Sequence, residues 1–384
     1  MEKTQYQICT NCVMDTTASE IVFDEKGVCN FCKEFEQLAK ETIWRPLEVR
    51  LKELEDSINK LKKLGEKDKY DCLIGLSGGV DSSYICYWAK ASGLRPLVVH
   101  FDNGWNSELA VKNIEKIIEK TGFDLYTYVI NWEEFKDLQL AYIKSGVVDL
   151  EVPTDQLIFA ALYKIAKKYK IKSLIKGHNT SSEAILPKSW IQPDKFDWVN
   201  LTDIHKRFGT VKLKNFPKLD LITQLVNNSL HQMYSVLPLD LLDYDKTKAK
   251  ELLIREFEWK DYGGKHYESV FTRFYQGYIL PKRFNIDKRR AHLSNLVAAK
   301  IMTREDALKE LQLPPYDILL QNEDYKYVLK KFEISPEEFE NYMTAPIVQH
   351  NYYETQWSKK HFRKYYLFKK LIIPILKIIA KFRK

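Results

Sequence analysis

The chain has 384 residues, a formal net charge of +8, 45% hydrophobic and 29% charged residues. That length implies two or three domains around a real core, and the positive balance favours an anionic partner: nucleotide, nucleotide-sugar, nucleic acid or membrane surface. Six cysteines behind a polar N-terminus with no apolar signal segment argue against a secreted disulfide framework and for a cytoplasmic protein with reduced thiols.

In chain order, the first feature is a pair of CxxC knuckles, Cys9-Thr10-Asn11-Cys12 and Cys29-Asn30-Phe31-Cys32. Each presents two thiolates on one side of a tight turn, and together they close a tetrahedral Zn site with no open position for catalysis. An iron–sulfur cluster or a redox dithiol is the alternative for such spacing. The intervening Ile21–Val28 reads as a hairpin with a Gly turn. Ile43 to Leu64, rich in Leu and Lys with Pro46 near its start, reads as a linking helix.

From Asp71 the pattern alternates strand and helix. Strands are expected at Asp71–Leu76, Pro96–Phe101, Leu125–Ile130, Ser173–Lys176 and Met233–Leu237, with helices between them and a last one at Lys246–Phe257. Such alternation predicts an α/β fold whose parallel sheet is covered by helices on both faces. Ligands of these sheets sit at the C-terminal edge of the strands, where three polar loops converge: Ser77-Gly78-Gly79-Val80-Asp81-Ser82-Ser83, His100-Phe101-Asp102 and Gly177-His178-Asn179. The first is an anion site. A helix N-terminus supplies unpaired N–H groups, the glycines permit close approach, the serines add hydroxyls, and Asp81 is placed to hold Mg²⁺ against phosphate oxygens. Neither a Walker ending nor a GxGxxG fingerprint is present.

Residues 184–232, with Trp190, Phe196, Trp198, Phe208 and Phe216, read as an insertion near the rim that either packs a core or offers stacking surfaces. A second polar block begins at Asp261-Tyr262-Gly263-Gly264-Lys265-His266 and runs through Arg273, Arg283, Arg289, Arg290 and His292. Four planar guanidinium forks are suited to phosphate or carboxylate; Lys288 reads as part of a solvated face. The tail, Tyr365 to Lys384, is apolar and basic, and Pro374 and Lys377 break it short of the ~20 apolar residues a membrane span needs. It suits a membrane interface or docking on protein.

The loop at Ser77–Ser83 resembles the pyrophosphate loop of the ATP pyrophosphatases, the PP-loop superfamily. That resemblance implies an adenine-nucleotide alpha-hydrolase-like fold and cleavage of ATP between the α- and β-phosphates, with AMP moved onto an oxygen. It assigns ATP to Ser77, Gly78, Gly79, Asp81, Ser82, Ser83, His100, Phe101, Asp102, Gly177, His178 and Asn179. Where the tRNA enzymes of the superfamily tend to carry an acidic pair, this sequence has Ser181 and Ser182. Gly177-His178-Asn179-Thr180-Ser181-Ser182-Glu183 and the block after Asp261 instead resemble the N-acetyl sugar amidotransferases of surface-polysaccharide and nonulosonic acid biosynthesis, from the first knuckle to about residue 315. The implied reaction turns an acetamido group into an acetamidino group, for lipopolysaccharide O-antigen, capsule or flagellin glycan precursors. Asp81, His178, Lys265 and His266 are then the catalytic candidates. Gly263, Gly264, Lys265, His266, Arg273, Arg283, Arg289, Arg290 and His292 are the candidates for binding an anionic N-acetylated sugar, either a nucleotide-sugar or a nonulosonic acid.

The implied cofactors are ATP, Mg²⁺ and structural Zn²⁺. Glu2 stands where an N-terminal-nucleophile glutaminase needs Cys, and Cys72 and Cys86 read as buried. The ammonia is therefore expected from a separate glutaminase with a cyclase-like subunit, both resembling the halves of imidazole-glycerol-phosphate synthase. No nucleic-acid partner is expected, and the tail offers a peripheral contact at the inner face of the membrane. The expected domains are 1–42 (zinc ribbon), 43–68 (linker helix), 69–259 (ATP pyrophosphatase), 260–360 (helical substrate and partner region) and 361–384 (tail). The competing readings are a tRNA-modifying adenylyltransferase of the 2-thiouridine synthetase type, which lacks a sulfur-carrying Cys after Cys86 here, and an inert nucleotide-binding subunit.

Overall fold

A computed structural model describes residues 5–230, 232–264 and 267–382. Its centre is one parallel sheet of five strands, β1 (Cys72–Gly75), β2 (Pro96–Asp102), β3 (Asp124–Val129), β4 (Ser173–Ile175) and β5 (Tyr234–Val236), in the order β3-β2-β1-β4-β5. Leu73 pairs with Leu97 on one side and Leu174 on the other. The period-two alternation of a strand sorts the side chains into two cores. Cys72, Ile74, Val98, Ile175 and Val236 face one layer. It is built by α2 (Leu47–Gly65), α3 (Val80–Ala91), α4 (Glu108–Thr121) and α11 (Lys246–Phe257), with the short α10 (Pro238–Leu241) beside α2. Leu73, Leu97, Val99 and Leu174 face the other, covered by α6 (Val152–Lys168). Burial on both faces explains why β1 reads as an unbroken apolar run.

The order of strands fixes the site. The chain leaves β1 toward β2 on one side, and β4 is laid down on the other. The crevice between their C-terminal ends is the switch point at which such sheets bind ligands. The phosphate loop follows β1, and Gly177-His178-Asn179 follows β4.

The remaining elements form a helical mass at that end of the sheet. Helix α1 (Asn30–Glu41) follows the second knuckle, α5 (Trp132–Ser145) precedes α6, and α7 (Thr180–Glu183) follows β4. The 184–232 segment contributes α8 (Trp198–Phe208) and α9 (Leu221–Leu230). Its aromatic side chains pack inward. Trp190 is buried and donates its indole N–H to the Thr17 carbonyl (3.3 Å), Phe216 is buried, and Trp198 stacks on Phe216. Beyond Asp261 come α12 (Val270–Phe274), a π turn at Tyr275–Ile279, α13 (Leu280–Phe284), α14 (Arg289–Ala298), α15 (Arg304–Gln312), α16 (Ile318–Phe332), α17 (Pro336–Thr344) and α18 (Lys359–Phe382). One apolar core runs from the cysteine knuckles through α5 and α6 to Phe271, Phe274, Phe332 and Phe339. Trp105, fully buried just after β2, is packed against Phe271 and Phe332 at 5.2 Å. Among the described residues no helix is long and apolar enough to cross a membrane. Helix α18 contacts α9 and exposes Leu367, Leu371 and Ile375.

Candidate active site

The phosphate loop is held open by its own polar atoms. Gly79 is the residue before α3, and its N–H points to the Ser77 hydroxyl (3.3 Å). The Ser77 N–H donates to Ser82 Oγ (3.3 Å), and the Ser82 hydroxyl donates to the Gly79 carbonyl (3.2 Å). Gly78 has φ +85°, and a Cβ there would meet the Ala110 carbonyl oxygen at 2.6 Å, so two separate constraints demand glycine. The Trp259 indole N–H donates to the Gly78 carbonyl (3.0 Å), which fastens the loop to the start of the second polar block. The Ser83 hydroxyl is buried one turn into α3 and, among the described residues, has no hydrogen-bond partner.

Asp81 sits in the first turn of α3, where the helix dipole favours a carboxylate. The Tyr244 hydroxyl donates to its Oδ1 (2.5 Å), and Lys246 Nζ stands 3.7 Å from Oδ2. A cation at that oxygen would therefore share it with Lys246. Burial, with Asp81 next, pushes the Tyr244 phenol up, so it stays a donor. Tyr244 and Lys246 follow β5 at the same rim. Only their position after the fifth strand signals them in the sequence.

His100 has a structural task. Its Nδ1 lies 3.1 Å from the Leu76 carbonyl and its Nε2 3.1 Å from Asn106 Nδ2. With Nδ1 donating and Nε2 accepting, both bonds are satisfied by the neutral ring. Burial lowers its basicity, in keeping with that state. It pins the end of β1 to β2. Asp102 accepts from the Gly104 N–H (3.0 Å) and shapes the turn, while Phe101 packs on Tyr128.

After β4, His178 Nδ1 meets Glu183 Oε2 at 2.6 Å, which orients the ring. Asn179 is buried and accepts the Ser181 and Ser182 hydroxyls, each at 2.8 Å. Thus the serine pair locks Asn179. Asp240 accepts the Thr180 N–H (2.7 Å) and hydroxyl (2.8 Å), holding the start of α7 in place.

Beside this rim lies a cavity of about 880 Å³, lined by His178, Ser182, Glu183, Gly263, Gly264, Tyr267, Lys288 and His292 among others. Its location joins the His178 loop to the second polar block. That block is drawn to the rim by antiparallel pairing: Asn106 bridges Ser269, Ser107 N–H donates to the Glu268 carbonyl, and Val270 N–H to the Trp105 carbonyl (each 2.8 Å). Lys265 and His266, which fall in the same block, lie outside the described residues.

The four arginines of the block are all engaged by the protein itself. Arg273 lines the cavity but forms a two-pronged pair with the buried Asp324, both contacts 2.7 Å. Arg289 is forked on Asp287 and donates to the Glu310 and Pro314 carbonyls. Arg290 is paired with the buried Asp15 (2.9 Å) and donates to the Val13 carbonyl (2.9 Å), so it fastens the N-terminal ribbon instead of facing the cavity. Arg283 is buried and donates to the Ile143 carbonyl (2.9 Å). His292 lines the cavity, with Nδ1 3.3 Å from the Ser182 carbonyl. Lys288 is the correction. It reads in the sequence as a solvated residue, yet it lines the cavity wall, half-buried. Burial and the neighbouring Lys195 lower its basicity against the pull of Asp149, Glu151 and Asp155. Among the described residues it forms no ion pair of its own. Lys195 is the one that pairs, 2.5 Å from Asp155 and 3.4 Å from Asp149. Burial pushes the Glu151 carboxyl up to about 7. Arg289 lines the cavity too, and no local signal in Asp287-Lys288-Arg289-Arg290 separates the cation that lacks an ion pair from its paired neighbours.

The knuckles converge on a single point. Cys9–Cys32, Cys12–Cys29 and Cys29–Cys32 sulfurs are 3.8, 3.7 and 3.7 Å apart, and all four lie within 4.8 Å of one another. A tetrahedral ion with Zn–S bonds of about 2.3 Å has an S···S edge of about 3.8 Å, so the donor set fits one such ion. The N–H groups of Cys12 and Cys29 point at Cys9 Sγ. Arg304 donates to the Cys9 and Cys12 carbonyls and ties the knuckle to α15. The other two cysteines are buried. Burial pushes the Cys86 thiol up to about 12 and raises Cys72 as well, so neither is an activated nucleophile.

Residues 268–370 match the family model described as LPS biosynthesis protein WbpG-like, C-terminal domain. The chain is 28% identical over 123 residues to a tRNA(Ile)-lysidine synthase of Chlamydia pneumoniae, covering 32% of this chain and 35% of that one. It is 27% identical over 118 residues to a tRNA-specific 2-thiouridylase of Fusobacterium nucleatum, covering 29% and 34%. The matched stretch thus spans about a third of these curated relatives. Among solved structures, the U34-tRNA thiolase NcsA from Methanococcus maripaludis with its 4Fe–4S cluster aligns over 80% of this chain and 89% of its own, at 14% identity and a TM-score of 0.34.

Proposed function

We propose that this chain, with a phosphate loop after β1 and a match to a WbpG-like C-terminal domain over residues 268–370, is an ATP-using enzyme of the PP-loop type, and more narrowly an AMP-forming amidotransferase acting on the N-acetyl group of an anionic sugar. An amide carbonyl is a poor electrophile. Transfer of AMP from ATP to its oxygen releases pyrophosphate and makes that oxygen part of a leaving group. Ammonia then adds to the carbon, the C–O bond breaks, AMP departs with the former amide oxygen, and an amidine remains.

The observation that carries this reading is the run from the phosphate loop, which Gly177 meets at Ser82, through the His178–Glu183 pair to a cavity large enough for a sugar. Ligand pockets for small molecules span about 300–1,000 Å³. In the proposal, the N–H groups and hydroxyls of Ser77–Ser83 hold the departing pyrophosphate, Lys246 and the helix dipole of α3 offset its charge, and His178, oriented by Glu183, exchanges protons at the amide. Asp81 is the residue that would hold Mg²⁺, which would supply further charge neutralisation on the phosphates. Lys288 is proposed as the anchor for the acceptor's carboxylate or phosphate, in place of the four arginines. Four thiolates at these separations are proposed to bind one structural Zn²⁺.

The tRNA reading needs an exposed mix of cations and aromatics. In this region the insertion aromatics Trp190 and Phe216 are buried, three of the block's four arginines are paired and the fourth, Arg283, is buried, which favours the sugar. The test is release of AMP and pyrophosphate from ATP with Mg²⁺ and ammonium chloride, against a panel of N-acetylated nucleotide-sugars and nonulosonic acids and, in parallel, unmodified tRNA. Sugar-dependent AMP, with a product carrying NH in place of oxygen by mass spectrometry, supports the proposal. AMP release dependent on tRNA alone overturns it. Turnover driven by glutamine in the purified chain would overturn the proposal that ammonia comes from a separate glutaminase.

A further inference from the structure

A second, smaller cavity of about 420 Å³ lies between the ribbon and the segment after α7. It is lined by Glu20, Glu34, Phe35 and Leu38 on the ribbon side, and by Ile185 and Leu186. Those last two residues also line the large cavity. They form a wall between the two spaces. The wall's backbone is held firmly: Ile185 N–H donates to Asn295 Oδ1 (2.7 Å), Asn295 Nδ2 returns a bond to the Ile185 carbonyl (3.2 Å), and Ser189 N–H donates to Glu20 Oε1 (3.0 Å). Both side chains of this shared wall are apolar, and Ile185 is buried.

The outer cavity has the chemistry of a cation receptor. Two carboxylates face one lysine, Lys188, which is exposed. The Glu20 Oε2 atom is buried and, among the described residues, has no hydrogen-bond partner. A carboxylate oxygen in that state is stabilised by a small cationic donor. The large cavity on the far side of the wall holds Ser182, Glu183 and His178, and Gly177 of the same loop packs against Ser82 of the phosphate loop.

We propose that the outer cavity is the ammonium port of the amidotransferase: Glu20 and Glu34 collect the ion, it gives one proton to water at the mouth, and neutral ammonia crosses between Ile185 and Leu186 into the acceptor cavity. This rests on the amidotransferase reading above. Removing the charge before the wall is a physical necessity, because an ion is costly to pass between apolar side chains and ammonia is not. Delivery from the ribbon side also keeps the nucleophile's path clear of ATP.

The test separates the port from the reaction. Glu20→Gln, which keeps an oxygen to accept the Ser189 N–H, and Leu38→Trp alter the lining of the outer cavity; Leu38 is 39% exposed, so the second change is tolerable for folding. Each variant is assayed with ammonium chloride as the varied substrate at saturating ATP and acceptor. Each is also assayed without ammonium for acceptor-dependent exchange of labelled pyrophosphate into ATP, the half-reaction that ammonia does not enter. The expected result is a KM for ammonium raised about tenfold in each, the loss of roughly one charge-assisted bond or its access, with exchange and acceptor KM unchanged. An ammonium KM at the wild-type value in both variants, with exchange intact, overturns the port alone. A wild-type protein that exchanges pyrophosphate with no sugar acceptor overturns the amidotransferase reading, and the port falls with it.

Discussion

The phosphate loop and the cationic block after Asp261 were both conspicuous in the sequence, and they fare differently in the fold. The loop works through backbone N–H groups, short hydroxyls and a glycine at φ +85°. Such groups stay where the chain puts them, so a local motif predicts a local geometry. The block relies on guanidinium groups at the ends of long side chains, and those are available to whatever lies within reach. Arg273 is taken by Asp324, 51 residues further on, and Arg290 by Asp15 in the ribbon. Meanwhile Lys288, unremarkable in the sequence, is left facing the cavity. Short-range groups declare their role in sequence; long-range cations declare it only once their neighbours are known.

That contrast is testable. The largest effect is expected at Arg273. Arg273→Leu leaves a buried carboxylate uncompensated and should cost roughly 3–5 kcal/mol of stability in denaturant unfolding. Arg273→Leu with Asp324→Leu should recover most of it. If the single variant instead keeps its stability and loses acceptor affinity, the arginine belongs to ligand after all and the contrast breaks. Next is Asp81→Asn, which keeps the shape of the loop and a partner for Tyr244 but removes the charge. We expect a fall of about a hundredfold or more in kcat for AMP formation, with the unfolding midpoint little changed. The smallest effect is Lys288→Met, an expected rise of about tenfold in the acceptor KM, the value of a hydrogen bond to a charged group. Arg289→Met, by contrast, should act through stability. An acceptor KM unaffected by Lys288→Met would remove Lys288 from the site.

The parallel sheet, the knuckles and the rim loops were legible because each is a local pattern: apolar runs between helices, paired CxxC, glycines between a strand and a helix. What was not legible depends on partners distant in sequence. His100 sits at a strand end that reads as a ligand loop, yet it bonds Leu76 and Asn106. Ser181 and Ser182 were informative as a departure, but their actual task of holding Asn179 needs the turn geometry. Lys246 and Trp259 reach the phosphate loop from the fifth strand-and-helix unit, and nothing in their own neighbourhoods marks them.

The bolts between the ribbon and α14 and α15 have a consequence for biosynthesis. Val13 donates to the Ser294 hydroxyl, a partner 281 residues later in the chain. A ribosome adding about 5–20 residues per second reaches that partner roughly 15 to 55 seconds after the knuckle has left it. For most of that interval the ribbon lacks its partners, since even Ser189 and Trp190 come about 170 residues after it, and a segment of about 40 residues is too small to hold itself together by apolar packing. Its four thiolates are the means at hand, so capture of an ion by the nascent chain would come first, and the finished ribbon would then wait, already shaped, for the helices it is to lock.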